Sequence, residues 1–270
     1  MTRQHIPTLG ALLLAAGFLA GCSGGPPREF QGYIEGEYVY IASPLGGALT
    51  NLAVARGETV TTGQLLFVLD RASEAAALDQ AGKDLDQARA NYALAQANLG
   101  RQQELRNANG VISAEELDQA LAQRDADAAQ VAARQAALDQ ARWSFDQKQQ
   151  FAPTNAYVQD TLYRRGEWVA AGNPVVVLLP PENLKVRFFV PQASLPTIRP
   201  GETISVSFDG GQHPYAATVN YISTQAEYTP PVIYNRENRA KLVFMIEADF
   251  APADAADLRP GQPVDVKFSP

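Results

Sequence analysis

The spacing of apolar and polar positions changes character along the chain, and its longest regular stretch is helical. From Arg71 to Gln150 there is no proline, and Leu78, Leu85, Tyr92 and Leu99 recur at seven-residue steps. Ala81, Ala88 and Ala95 follow the first three of these by three residues. The tetrapeptide Leu-Asp-Gln-Ala begins at Leu78, Leu85, Leu117 and Leu138. Large residues at one seam position and alanines at the other predict a narrow coiled-coil seam. The pattern stops once, at Asn107-Ala108-Asn109-Gly110-Val111-Ile112, where Asn and Gly accept left-handed backbone cheaply. Ser113-Ala114-Glu115-Glu116 then reads as a capping box opening a second helix. Its seam runs Leu117, Leu121, Arg124, Ala128, Val131, Gln135, Leu138, Arg142 and Phe145, with more polar members than the first. Residues 71–150 are thus predicted to form an antiparallel α-helical hairpin, two helices of roughly 35 residues spanning about 50 Å.

On either side the texture is short strands and glycine turns. Tyr38-Val39-Tyr40-Ile41 and Leu65-Leu66-Phe67-Val68-Leu69 are aromatic, aliphatic and β-branched, as strands prefer. A shift of 109 residues lays 44–69 on 153–178 without a gap: Pro44 meets Pro153, Arg56-Gly57-Glu58 meets Arg165-Gly166-Glu167, Gly63 meets Gly172, and Val68-Leu69 meets Val177-Leu178. One strand-rich unit therefore occurs twice, split by the hairpin. Pieces this small cannot each bury a core, so the halves are expected to pack on each other with the helices projecting from their joint. From Pro181, Leu184, Val186, Phe188 and Val190 alternate with Lys185 and Arg187, the period of a half-buried strand. A second repeat, at an offset of 60, lays Arg199-Pro200-Gly201 to Phe208 on Arg259-Pro260-Gly261 to Phe268. With Tyr215 to Ile222 and Leu242 to Ala248 this predicts about five strands closing a small barrel.

Composition narrows the function. The net charge of −7 argues against nucleic acid, which needs clustered Lys and Arg. One cysteine forbids an internal disulfide. Two histidines and two methionines are poor material for a metal site. His213, before Pro214, reads as a surface residue, and no catalytic constellation, phosphate-cradling loop or cofactor motif is present. Residues 1–22 read as a targeting segment: Arg3, an apolar run from Leu9 to Phe18, then Leu19-Ala20-Gly21-Cys22, which resembles the bacterial lipobox. That resemblance implies cleavage before Cys22 and lipid attachment there, with residues 23–31 as a tether.

Taken together, the two β halves resemble the halves of a biotinyl/lipoyl domain. The succession of half-lipoyl (32–70), helical hairpin (71–150), half-lipoyl (151–180) and β-barrel (181–270) resembles the HlyD-type periplasmic adaptors, or membrane fusion proteins. The implied fold class is α+β: a split lipoyl-like β-sandwich interrupted by a long antiparallel coiled-coil hairpin and followed by a small β-barrel. Lipoyl domains carry their modified lysine on the turn that the hairpin replaces, and neither half contains a lysine, so a swinging-arm carrier is not expected.

The resemblance also implies partners. Adaptors that dock TolC-like outer-membrane channels carry an Arg, a Leu four residues later and a Ser opening the second hairpin helix. Arg101, Leu105 and Ser113 resemble that trio, with the Leu-to-Ser spacing one residue longer than the family pattern. Glu227 to Arg239 resembles the matching segment of YbhG-like adaptors, which are associated with ABC exporters; Tyr228, Tyr234, Arg236 and Arg239 are its candidate transporter contacts, a rigid inter-strand loop being the other reading. The family further implies a homo-oligomeric ring, often of six, and no enzymatic activity. The expected protein is thus a lipid-anchored adaptor linking an inner-membrane ABC-type transporter to an outer-membrane channel. The alternatives are an adaptor of a resistance-nodulation-division pump and a non-transport envelope scaffold lipoprotein. An adaptor to an inner-membrane pump is expected on the inner membrane. Ser23, in place of the Asp of the common retention signal, leaves the outer membrane open.

Overall fold

The computed structural model describes residues 29–109, 112–211, 213–228 and 242–268. It divides into two units. One is Gly36–Leu184; the other joins the chain up to Glu35 with Lys185 onward. The first described strand, β1 (Glu29–Gly36), runs mostly in the second unit.

The unit Gly36–Leu184 is built on eight short strands: β2 (Val39–Ala42), β3 (Gly47–Leu52), β4 (Thr59–Val60), β5 (Leu65–Leu69), β6 (Gln149–Phe151), β7 (Ala156–Thr161), β8 (Trp168–Val169) and β9 (Pro174–Leu179). They form two four-stranded sheets, ordered β2-β9-β7-β4 and β6-β5-β3-β8. The shift of 109 carries β3, β4 and β5 onto β7, β8 and β9, and so carries one sheet onto the other. The backbone hydrogen bonds obey the same operation. Gly57 N donates to Val158 O at 2.9 Å and Gly166 N to Leu49 O at 2.8 Å; Gly63 N donates to Ala152 O and Gly172 N to Ser43 O, both at 2.8 Å. Gly57 and Gly166 sit at φ 91° and 95°, a conformation L side chains avoid.

The halves are more closely joined than two stacked pieces, since each sheet takes strands from both. Pairing of this kind hides the edges a separate half would expose. Leu49, Val60, Leu66, Phe67, Leu69, Val158, Val169, Val176 and Leu178 fill the space between the sheets.

Between β5 and β6 the chain runs out and back as α1 (Ala72–Asn109) and α2 (Ala114–Asp146). At 1.5 Å per residue α1 is about 57 Å long. Leu85, Ala88, Ala95 and Leu99 of α1 are buried, so the leucine–alanine seam lies where its period places it. No residue of α2 is fully buried; its seam residues Leu117, Leu121, Val131 and Leu138 are half-buried. One seam position differs: Arg142 is exposed and Ala141 half-buried. The step after Leu138 is three residues rather than four, which keeps a guanidinium out of the interface.

The second unit is a closed six-stranded barrel, ordered β1-β10-β13-β12-β11-β14, with β10 (Leu184–Pro191), β11 (Thr203–Ser207), β12 (Tyr215–Tyr228), β13 (Leu242–Phe250) and β14 (Pro263–Phe268). The sequence predicts about five strands here, and the sixth is β1. Residues 29–35 therefore belong to the barrel, neither to a tether ending at 31 nor to a lipoyl-like half starting at 32. β1 pairs with β14 from Glu29↔Lys267 to Tyr33↔Pro263. On its other side it crosses β10 so closely that a Cβ on Gly32 would lie 2.4 Å from Arg187 O and 2.7 Å from Phe188 Cβ. Arg187 of β10 ties its strand to both neighbours, at 2.6 Å from Glu35 of β1 and 2.7 Å from Glu247 of β13. β10 alternates buried and half-buried from Leu184 to Val190, as its period predicts. No helix among the described residues is long and apolar enough to cross a membrane.

Candidate functional site

The far end of the hairpin is held by local chemistry. Ser113 takes extended backbone angles (φ −68°, ψ 157°), and its Oγ accepts from Glu116 N at 3.2 Å. In return, Glu116 Oε2 accepts from Ser113 N at 2.9 Å and from Ser113 Oγ at 3.0 Å. These bonds from the Ser113 backbone N–H and hydroxyl hold the Glu116 carboxyl below its ordinary range. Ser113 is therefore a cap, in the reciprocal form that its sequence predicts.

Between the two helices at this end lies an open groove of about 510 Å3. Ala95, Asn98, Arg101, Gln102 and Leu105 line it from α1; Glu116, Gln119, Ala120 and Gln123 line it from α2. Arg101 and Leu105 thus share one wall, four residues and about one turn apart. Ser113 is not part of the lining and reaches the groove only through Glu116. Leu105 is 50% exposed, and Arg101 is exposed with its guanidinium donating to Asn98 Oδ1. The groove can accept an apolar group beside Leu105 and an acceptor at Arg101. It holds no arrangement for bond-making chemistry. Among the described residues no three His, Cys, Asp or Glu side chains gather as metal ligands.

The other candidate positions fall elsewhere. Tyr228 is the last residue of β12, while Tyr234, Arg236, Arg239 and Cys22 lie outside the described residues. His213 is exposed, its ring 4.9 Å from that of Tyr215.

The root of the hairpin is more tightly built than the tip, and sequence reasoning passed over it. Lys148, at the return of the chain into β6, has a side chain only 6% exposed. Its Nζ donates to Gly46 O at 2.7 Å and Asp70 O at 3.2 Å, and pairs with Glu74 Oε1 at 3.0 Å. Burial raises the proton affinity of the Glu74 carboxyl. Its bonds to Lys148, to its own backbone N–H and to Ser73 outweigh this and hold it below the ordinary value. Ser43 Oγ donates to Gln147 O at 2.8 Å, and Arg71 lies 4.4 Å over the Phe145 ring. In the sequence Lys148 reads as a basic residue near a helix C-terminus, which is commonplace. No signal beside it in the sequence marks it as buried.

With this geometry in hand, the likenesses to known proteins are consistent. Residues 77–148 match the family model of the RND MFP alpha-helical hairpin domain. A UPF0194 membrane protein of Citrobacter koseri is 30% identical over 291 residues, covering 88% of this chain and 87% of that protein. The UPF0194 membrane protein YbhG of Salmonella gallinarum is 28% identical over the same shares. Among solved structures, the membrane fusion protein Spr0693 of Streptococcus pneumoniae aligns with a TM-score of 0.64 at 19% identity, covering 89% of this chain and 98% of that one; this shows the common fold. The chain belongs to the UPF0194 membrane-protein family, and its residues 77–148 match the hairpin domain of RND-type membrane fusion proteins.

Proposed function

We propose that this chain is a periplasmic adaptor that serves an ABC-type exporter in the inner membrane and hands its cargo to a TolC-like outer-membrane channel through the hairpin tip. The observation that carries the reading is Leu105, an apolar side chain left half exposed beside Arg101 in a polar groove. A leucine there gains nothing for the isolated hairpin. It gains on meeting a partner that covers it, with the Arg101 guanidinium forking onto a carbonyl or carboxylate. One such contact is weak, and a ring of chains, six by family resemblance, multiplies it through effective concentration. Lipid on Cys22 anchors the base at the inner membrane. Tyr228, Tyr234, Arg236 and Arg239 supply the contact to the transporter; support for these, and for the ABC class, is the likeness of 227–239 to YbhG-type adaptors.

Leu105→Asp tests the tip. It is expected to abolish export and crosslinking to the channel while circular dichroism stays at the wild-type level. Undiminished export from that variant removes the case for the groove.

A second reading is favoured by one observation, the match of 77–148 to the hairpin model of adaptors of resistance-nodulation-division pumps. Export driven by a proton gradient with ATP withdrawn supports it; export that stops when the ATPase of the co-purified transporter is inactivated supports the first.

A further inference from the structure

Among the described residues the buried set contains two that are polar or charged, Ser43 at 1% and Lys148 at 5% exposure. Both stand at the hairpin root. An ammonium is costly to bury unless every donor is used, and this one is fully engaged. It reaches three segments at once: the Gly46 carbonyl in the turn before β3, the Asp70 carbonyl where β5 ends, and the Glu74 carboxylate in the first turn of α1. The space is cut to this group, since a Cβ on Gly47 would lie 3.1 Å from Nζ. Ser43 adds a bond to Gln147 O, the residue before Lys148.

The internal duplication supplies a control. At the apex related by the 109-residue shift no hairpin is inserted; the chain enters from β1 and leaves to β10, and Asn183 Nδ2 donates to Glu37 O at 2.9 Å. There Val39 stands for Lys148, Ala152 for Ser43, Leu179 for Asp70 and Asn183 for Glu74. The turns, by contrast, are kept: Glu58 Oε2 accepts from Ala55 N at 2.9 Å, and Glu167 Oε2 accepts from Arg164 N at 2.8 Å. The buried polar cluster is therefore not a requirement of the β-module, which forms the equivalent apex without it. It is present only where a lever is attached.

We propose that Lys148 is a positioning residue, a buried ionic pin that fixes the angle at which the hairpin leaves the β-module. A lever of this length magnifies any play at its root. A rotation of 10° displaces a tip some 57 Å away by about 10 Å, roughly the width of a helix. The pin confines that play by joining both roots of the hairpin to the module through one cation. It acts whichever partner the tip meets.

The test is a pair of spin-label distances in the purified full chain carrying Cys22→Ser. Labels at Ala97 and Arg165, both exposed, report hairpin against module; labels at Ala77 and Ala97 report the hairpin alone. Lys148→Met keeps the length and removes the charge. It is expected to widen the 97–165 distribution at least twofold and leave the 77–97 distribution and the far-ultraviolet spectrum unchanged. Lys83→Met, which breaks only the exposed pair with Asp79, is expected to change neither. A 97–165 distribution as narrow in Lys148→Met as in wild type overturns the proposal. Should Lys148→Met fail to fold, Glu74→Gln carries the same test, with the same widening expected and the same narrow result overturning it. The docking reading is judged separately: a widened distribution with undiminished export from Leu105→Asp keeps the pin and loses the tip.

Discussion

Ser113 is asked to do two things at the hairpin tip, and they can be separated. As a cap, its Oγ satisfies Glu116 N and its own N–H is satisfied by Glu116 Oε2. Ser113→Ala deletes the first bond and leaves an orphan donor at the start of α2, which costs about 1 kcal/mol. Ser113→Asn restores a side-chain acceptor of comparable capping strength without the hydroxyl. The first turn of α2 has no buried residue to stabilise it otherwise, so the loss should be felt locally. Opening this first turn at a cost lower by 1 kcal/mol speeds amide exchange there about fivefold. Hydrogen exchange at Glu116, Leu117 and Asp118 is therefore expected to be about fivefold faster in Ser113→Ala and near wild type in Ser113→Asn. Export then decides the second role. If the cap is all that matters, Asn restores export with exchange; if the hydroxyl itself meets the channel, Asn restores exchange alone. Unchanged exchange in Ser113→Ala would refute the claim that the reciprocal cap holds this end.

Three further outcomes follow from the packing. Leu85→Ala removes the most buried leucine of the seam and is expected to lower stability by about 2–4 kcal/mol in chemical denaturation followed at 222 nm, with a loss under 1 arguing that the seam collapses freely. Gly32→Ala drives a methyl onto a backbone oxygen that cannot step aside; a destabilisation of about 1–3 kcal/mol or an unfolded barrel is expected in near-ultraviolet circular dichroism, and a wild-type melt would show that β1 is not held where it crosses β10. The Glu74 carboxyl is held below its ordinary value of 4.5, so its contribution is fully present above that value and is lost as pH falls through the lower folded value. Acid titration of wild type against Glu74→Gln should therefore show an extra loss of stability below pH 4.5 in wild type only; parallel curves would remove the Lys148–Glu74 pair from the stability of the root.

What could be read from the chain was what repeats locally. The leucine–alanine seam and the Ser113 cap are written within a few residues of themselves, and Leu85, Ala88, Ala95 and Leu99 are buried accordingly. The 109-residue duplication was legible because both copies keep their turn glycines, and it carries the sheets as well as the sequence. The pairing of β1 was not legible. Glu29 meets Lys267 at the opposite end of the chain, and no local period announces a partner so far away. Nothing local marks Gly32 as the close crossing it makes with β10. Lys148 was missed for a related reason: its three partners lie 78, 102 and 74 residues from it in the sequence, so nothing beside it marks it as buried. The tip trio was readable as a pattern. The structure brings Arg101 and Leu105 onto one groove and leaves Ser113 behind Glu116.

The hairpin is held by different physics at its two ends, and the difference suits a lever. At the root a cation without access to water joins three segments, and giving up any of its bonds leaves a buried charge unpaired. Midway, four buried residues of α1 supply the seam. Beyond Leu99 burial ends: Gln102 is half-buried with its Oε1 unpaired, and Leu105 stands half in water. Outward of these, Ser113 and Glu116 form a reciprocal cap of about 1 kcal/mol. Rearranging the last turns is therefore cheap, within reach of a single contact made by Leu105 or of a bond offered to Gln102. Tilting the whole hairpin requires unpairing Lys148. A partner can then reshape the end it touches without altering the direction in which the end is presented.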